Sequence, residues 1–160
     1  AFENPSFRGH FRVFGLCTAD RNRVDRGFQI EALTEHLRFY ITLLRTLSEH
    51  GFRFIEPAAF VTDLTPDRIL TERVEQRVLT PLRQEFPEVE LGFDDERQQG
   101  RNFYRDLCFG FRLTSSNGVT INPIIDGGFV DWNARLLNDR KEQLLTSVIG
   151  TELVCSLFRE

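Results

Sequence analysis

Polar side chains that suit ligand binding recur at every second position along two neighbouring segments of the chain. The odd positions from Phe103 to Leu113 are apolar apart from Arg105, and the second segment continues the pattern to Ile125. The residues on the opposite side are Tyr104, Asp106, Cys108, Arg112, Asn122 and Asp126. Alternation of this kind predicts two half-buried strands. Hydroxyl, carboxylate and guanidinium groups on one face suit a small polar or anionic molecule, because together they donate and accept hydrogen bonds.

The two segments are predicted to form a hairpin with a three-residue loop, 116–118. Gly118 stands where such a loop needs a left-handed residue. Both apolar faces agree only if odd residues pair with odd ones, since a slip of one residue inverts every side chain. The predicted pairs are Leu113 with Ile121, Phe109 with Ile125, and Cys108 with Asp126.

In that register four side chains are expected to converge on the polar face: Arg101, Tyr104, Arg112 and Asp126. We expect this face to be concave and to bind an anionic or zwitterionic molecule. Simpler roles stay open for each residue. Arg101 can pair with a nearby acid, Tyr104 can be an ordinary sheet tyrosine, and Asp126 precedes two glycines, where aspartate commonly forms turns.

Composition narrows the class of protein. The chain has 160 residues, of which 41% are hydrophobic and 28% charged, which predicts one globular domain over 1–160. It contains no apolar run long enough to cross a membrane and no signal-peptide pattern. A formal charge of −4 argues against a partner of duplex nucleic acid, whose phosphates require a basic surface.

The three cysteines, Cys17, Cys108 and Cys155, are too widely spaced to form a metal motif. They are typical of reduced core residues in a cytoplasmic protein. The three histidines form no ligand pattern, and the sequence contains no Ser-His-Asp set, phosphate loop or dinucleotide glycine pattern. We therefore expect neither a metal nor a cofactor.

The remaining elements must support the hairpin. A stripe from Ile30 to Leu47, with spacings of three and four, predicts a long helix that ends before Gly51 and packs on the apolar face of the hairpin. Thr65 and Pro66 predict the start of a second helix, which Pro81 interrupts. The residues expected to be buried between helix and hairpin are Ile30, Leu33, Leu37, Leu44, Leu47, Leu107, Phe109 and Phe111.

Other stretches complete the pattern. Residues 10–18 are predicted to form a strand and residues 19–27 a charged loop. Asp131 is expected to cap a third helix with apolar positions at Trp132, Leu136, Leu137 and Leu144, and 153–158 to form a last one. Strands interspersed with helices in this manner predict an α+β fold, an antiparallel β-sheet with helices packed mainly on one face.

Three motifs resemble class II aminoacyl-tRNA synthetases of the histidyl type and their non-catalytic paralogue that regulates ATP phosphoribosyltransferase. The family runs are R-G-L-x-Y-Y-x-x-x-x-F, G-G-R-Y-D and G-L-E-R-L. Their counterparts here are Gly100 with Phe103-Tyr104 and Phe109, then Gly127–Asp131, then Gly150–Val154. They stand in family order and cover about the last third of the chain. The resemblance implies a class II synthetase-like fold.

Upstream, the resemblance allows two alignments. In the first, Phe11-Arg12, the charged loop and Phe28 correspond to the strand, loop and return strand of motif 2, and Arg12 would hold the α-phosphate of ATP. In the second, the long helix with Gly51-Phe52 and Pro57 corresponds to motif 1, which forms the dimer interface in the family. We prefer the first.

Departures from the family motifs argue against catalysis. Gln99, Phe129 and Leu153 stand where the family has arginines, and Phe14 stands where motif 2 has a glutamate. Adenylate formation relies on neutralising phosphate charge. The sequence therefore predicts a degenerate, non-catalytic domain that binds a small polar or anionic molecule or a protein partner. That partner can be a second copy of the chain, in a homodimer. The alternatives are an active ATP-dependent ligase-type enzyme that uses Arg12, Arg101 and Arg112, and a structural subunit.

Overall fold

A computed structural model describes residues 12–160 and contains one six-stranded sheet. The strands are β1 (Val13–Arg21), β2 (Ile55–Asp63), β3 (Glu90–Phe93), β4 (Arg105–Thr114), β5 (Thr120–Val130) and β6 (Glu142–Gly150). The helices are α1 (Gly27–Glu49), α2 (Thr71–Val74), α3 (Thr80–Glu85), α4 (Trp132–Leu136) and α5 (Thr151–Phe158), with a π-helical turn at Glu75–Leu79 between α2 and α3.

The strand order across the sheet is β1-β6-β5-β4-β2-β3. Every neighbouring pair is antiparallel except β2 with β3. Helices α1, α2, α3 and α5 contribute to one apolar core on a single face of this sheet. The predicted α+β architecture is confirmed.

Helix α1 forms because its apolar stripe can be buried along almost its full length. Tyr40 packs against Phe109 and Phe111 of β4, with ring centroids 6.4 and 6.0 Å apart. Seven of the eight residues expected between helix and hairpin are buried, and the eighth, Leu47, is half-buried at the rim. The helix ends before Gly51, whose φ of +84° follows the predicted glycine stop.

Leu44 tests this packing. It is almost fully buried near the last turns of α1, so Leu44→Ala should lower the free energy of unfolding by about 2–3 kcal/mol, toward the low end for a buried leucine at a core rim. Urea denaturation measures the change. A loss below about half a kcal/mol, the usual limit for surface substitutions, would mean that the stripe does not carry the core.

The second helical region begins differently from the expectation. Thr65 makes no capping bond. Instead the buried Asp63 carboxylate accepts hydrogen bonds from Thr65 N and Leu70 N at 2.9 and 2.8 Å, and from the hydroxyls of Thr65 and Thr71. The interruption expected at Pro81 is present as the π-helical turn just before it, because proline cannot donate to the preceding turn.

The hairpin register is confirmed at the loop and shifts farther along. Leu113 pairs with Ile121, and Gly118 in the loop has a φ of +84°. The pairs expected for Phe109 and Cys108 are wrong, because these residues lie opposite Gly127 and Gly128. A bulge around Pro123, which cannot donate a ladder hydrogen bond, adds two residues to β5. Because the register shifts by two residues, each side chain stays on the face of the sheet predicted for it.

Two stretches were assigned wrongly. The third helix, α4, is short and has no capping bond from Asp131. Leu136 and Leu137, at its end and just after it, are exposed, whereas Leu144 belongs to β6. The charged loop begins later than expected because β1 continues to Arg21, where edge exposure tolerates charge.

The first upstream alignment is also wrong in its return strand, because Phe28 lies inside α1. The succession of α1 and β2 matches the helix and strand of the second alignment. Of the strand expected over 10–18, residues 10 and 11 lie outside the described part. Within residues 12–160, no helix is both long and apolar enough to cross a membrane.

Candidate functional site

The face of the sheet opposite α1 carries the candidate site. The odd residues of β4 from Leu107 to Leu113 point toward the helices, so Cys108, Gly110 and Arg112 point to the other side. The segment from Asp94 to Tyr104 leads into β4 and crosses this second face, because its side chains contact Gly110 and Gly128 there. We call this segment the crossing loop.

Asp126 is the centre of the polar contacts. Its Oδ1 accepts a hydrogen bond from Arg97 Nη2 at 2.5 Å, and its Oδ2 accepts one from the Tyr104 hydroxyl at 3.0 Å. The Arg97 guanidinium also lies 5.8 Å from the centre of the Tyr104 ring. Only 8% of the Arg97 side chain is exposed, compared with 31% of Asp126. The crossing loop is therefore attached to β5 by a mostly buried ion pair.

Glycines create the space for these side chains. A Cβ at position 128 would lie 2.5 Å from Cδ1 of Tyr104 and 2.7 Å from Cβ of Cys108. A Cβ at position 110 would lie 3.1 Å from Nη1 of Arg97. Tyr104 and Arg97 can thus rest directly on the backbone of the sheet, which explains their burial.

Burial also determines the protonation of the site. It raises the pKa of Tyr104, an effect that the neighbouring Asp126 carboxylate reinforces. Burial likewise raises the pKa of the Cys108 thiol to about 11. Both groups therefore stay neutral near pH 7, where Tyr104 donates a hydrogen bond and Cys108 is a poor nucleophile. This arrangement suits binding better than proton transfer.

A cavity of about 230 Å³ opens beside the ion pair. Its lining residues are Phe60, Asp94, Arg97, Gln98, Gln99, Gly110, Asn122 and Pro123. Arg97 uses Nε to bond the carbonyl of Gln99 and Nη2 to bond Asp126. Residues 12–160 offer no hydrogen-bond acceptor to its Nη1, which lies against Gly110 in the cavity wall. The cavity therefore contains a cationic donor together with three neutral amides and the carboxylate of Asp94.

Larger depressions elsewhere lack this feature. A groove of about 990 Å³ runs along the outer side of α1, beside the π-helical turn and α3. Its four charged side chains, Glu31, Glu35, Arg38 and Arg77, are all exposed. Exposed charges are well solvated and bind ligands weakly, so we place the candidate site at Arg97.

The structure brings together only some of the predicted site residues. Tyr104 and Asp126 are in contact, and Arg101 donates from Nη1 to the backbone oxygen of Arg97. Arg112 turns toward β3, where it bonds Glu90 at 2.8 Å and lies over Phe60.

Arg12 lies at the opposite edge of the sheet, 3.8 Å from Glu152. The convergence expected for Arg112 is therefore wrong, because its side chain reaches across β2 to the acidic Glu90 of β3. Asp106 is also separate. Its carboxylate accepts a hydrogen bond from Gln29 and forms an ion pair with Arg26 at the end of the sheet.

Sequence reasoning missed Arg97. It lies in a polar loop, and its partner Asp126 is 29 residues away, so no local pattern connects the two. The available signal was Gly110, since a glycine inside a predicted strand indicates the close approach of another group.

No group of three or more His, Cys, Asp or Glu side chains within residues 12–160 has the arrangement of a metal site. Most side chains that stand where the family has arginines or a glutamate are apolar and point away from the candidate site. Phe129 is buried and packs on Phe28, and Phe14 stacks on Phe39 of α1. Leu153 is exposed on α5, whereas Gln99 lines the cavity.

Comparison with known proteins gives a match in structure. The apo histidyl-tRNA synthetase of S. aureus superimposes with a TM-score of 0.59 over 91% of this chain, at 13% sequence identity. The fold is class II synthetase-like. The chain spans 39% of that protein's length. No protein-family model matches the sequence, and no curated protein matches it either.

Proposed function

We propose that this synthetase-like domain binds a small anionic or zwitterionic molecule at the Arg97 cavity and does not form aminoacyl-adenylates. The observation that carries the proposal is the Nη1 group of Arg97. It lines a cavity, and the described residues provide it with no acceptor. This nitrogen opens to the cavity, where a carboxylate or phosphate oxygen of a ligand can replace solvent as its hydrogen-bond acceptor, and charge-assisted bonds of this kind are stronger than neutral ones.

The remaining lining residues favour a small and partly polar ligand. Gln98, Gln99 and Asn122 contribute amide side chains that both donate and accept hydrogen bonds. Asp94 adds a carboxylate at the same cavity, which favours a molecule that also carries a positive group. Phe60 gives an apolar wall. An amino acid or a similar zwitterion satisfies all of these groups at once.

The residues at the family's arginine positions do not favour catalysis. A triphosphate requires several cations, and the side chains at the family's arginine positions are a buried phenylalanine, an exposed leucine and a neutral glutamine. Losing one charge-stabilising donor costs about 3 kcal/mol at the transition state. The loss of several supports a binding role.

Binding can be tested by calorimetric titration of the full chain with inorganic phosphate and with each of the twenty amino acids. We expect at least one to bind and to raise the melting temperature, since a ligand at a hundred times its Kd adds about 2.7 kcal/mol. Arg97→Gln should abolish binding because it removes the donor. The control Arg105→Gln alters an exposed arginine that pairs with Asp131 outside the cavity, so it should bind normally. Equal affinity in both variants would exclude the cavity.

Adenylate formation needs a separate assay. With ATP, magnesium and each amino acid, we expect pyrophosphate exchange at the level of a sample without protein. Exchange well above that level, lost in Arg12→Ala, would instead support the active-enzyme alternative.

A further inference from the structure

Strand β1 forms one edge of the sheet, and its outer side faces no other described strand. We infer that two copies of the chain associate by pairing their β1 strands antiparallel, which joins the two six-stranded sheets into one. The inference is independent of the ligand proposed above, because it rests on β1 alone.

The edge lacks the features that normally prevent strands from pairing. Natural edge strands are commonly protected by proline, lysine, bulges or short length. β1 is nine residues long, contains neither proline nor lysine, and keeps an unbroken register with β6 from Val13 to Arg21. No charged residue occurs between Val13 and Ala19. Val13 and Phe14 are 48% and 42% exposed, so apolar surface lies along this edge.

The hydrogen-bonding groups on the outer side can be assigned. Thr151 N donates to Arg12 O, and Asn22 N donates to Lys141 O, so even positions of β1 bond to the β6 side. Antiparallel ladders alternate, so the odd positions direct their N–H and C=O groups outward. Those residues are Val13, Gly15, Cys17, Ala19 and Arg21.

A symmetric pair satisfies all of these groups in one register. With full overlap of the nine residues, Cys17 lies opposite Cys17 of the second copy, because it is the middle residue of the strand. Gly15 then lies opposite Ala19, and Val13 opposite Arg21. Odd residues meet odd residues, as hydrogen-bonded pairs of outward groups require. The small side chains near the centre leave room for a close approach.

Charge supports the same register. Asp20 and Arg21 already have partners, in Arg23 and in Asp139 and Glu142 respectively, so they add no unpaired charge. The Arg12 side chain is 87% exposed, and within residues 12–160 its ion-pair partner is Glu152, at the long distance of 3.8 Å. In the symmetric pair it is diagonal to Asp20 of the second copy on the same face, within reach of a long side chain. Two such contacts, related by the twofold axis, connect the copies.

The central cysteine gives a specific test. Residues in a hydrogen-bonded antiparallel pair have Cα atoms about 5.5 Å apart, within the range of disulfides. Oxidation of the full chain with diamide should produce a disulfide-linked dimer through Cys17, which is exposed. Cys17→Ser should abolish the crosslink. Cys155→Ser, which removes the other exposed thiol, should leave it intact.

Association without a crosslink is measured by sedimentation equilibrium under reducing conditions. We expect a dimer, and Gly15→Pro should make it a monomer, because the change removes an outward N–H and leaves the β6 bonds in place. Circular dichroism and thermal melting check that this variant is folded. A chain that stays monomeric as concentration rises, or a dimer crosslinked through Cys155, would overturn the inference.

Discussion

Asp126→Ala is expected to lower the free energy of unfolding by about 3–4 kcal/mol. The change leaves the Arg97 guanidinium buried without its carboxylate and removes the acceptor of the Tyr104 hydroxyl. Breaking a buried pair from one side typically costs about 3–5 kcal/mol, because the remaining charge keeps its desolvation penalty. The partial exposure of Asp126 places the expected value toward the lower end.

Removing the other partner, Arg97, should lower the free energy of unfolding by less. Arg97→Met keeps much of the side-chain volume and leaves behind Asp126, which is 31% exposed and can be hydrated. Urea denaturation of both variants measures the difference. Asp131→Ala is the control, because this carboxylate is 35% exposed but its partner Arg105 is 53% exposed. A loss near zero in Asp126→Ala would show that the crossing loop does not depend on this pair. Equal losses in the two variants would show that leaving the Arg97 guanidinium without its carboxylate carries no extra cost.

As the pH decreases from 7 to 4, the titration of His36 alone is expected to lower the free energy of unfolding by about 3 kcal/mol. His36 is completely buried, where its Nδ1 contacts Ser147 Oγ at 2.8 Å and its Nε2 contacts Thr18 Oγ1 at 3.0 Å. Burial lowers its pKa from 6.5 to about 4. The folded protein therefore binds a proton less readily than the unfolded chain, and each pH unit of this difference corresponds to about 1.4 kcal/mol.

The sign follows from the direction of the shift. Above pH 6.5 the histidine is neutral in both states, and its full contribution to stability is present. Between pH 6.5 and 4 only the unfolded chain is protonated, so the free energy of unfolding decreases with falling pH. His36→Gln should remove this slope. His50→Gln, at an exposed position, should keep it, and a slope unchanged in His36→Gln would assign the effect to other groups.

Patterns of local period were sufficient to predict much of the fold. The stripe in α1 and the alternation in β4 identified the two layers of the core, because burial imposes periods of 3.6 and 2 on any sequence. The position of Gly118 set the register at the loop. Alternation alone placed Tyr104 and Asp126 on the same face, where they are in contact.

Contacts that depend on irregular backbone could not be predicted in this way. The bulge at Pro123 changes which residues of β4 and β5 are opposite without changing their faces. Arg97 reaches Asp126 from a loop that has no periodicity. Leu144 was assigned to a helix because its distance from Leu137 is also compatible with helical spacing, whereas pairing with Ala19 and Val130 places it in β6. Such errors arise where tertiary pairing overrides local spacing.

Gly127 and Gly128 separate the core from the site by a single layer of backbone. On one side, a Cβ at Gly127 would lie 2.5 Å from the Cβ of Ser147 and 2.8 Å from the Phe109 ring. On the other side, Tyr104 occupies the equivalent space above Gly128. A larger residue at either position would require one of the two layers to be rebuilt. For the ligand site proposed above, changes of specificity would therefore have to come from replacements in the crossing loop, such as Gln98 and Gln99, while this part of β5 stays fixed.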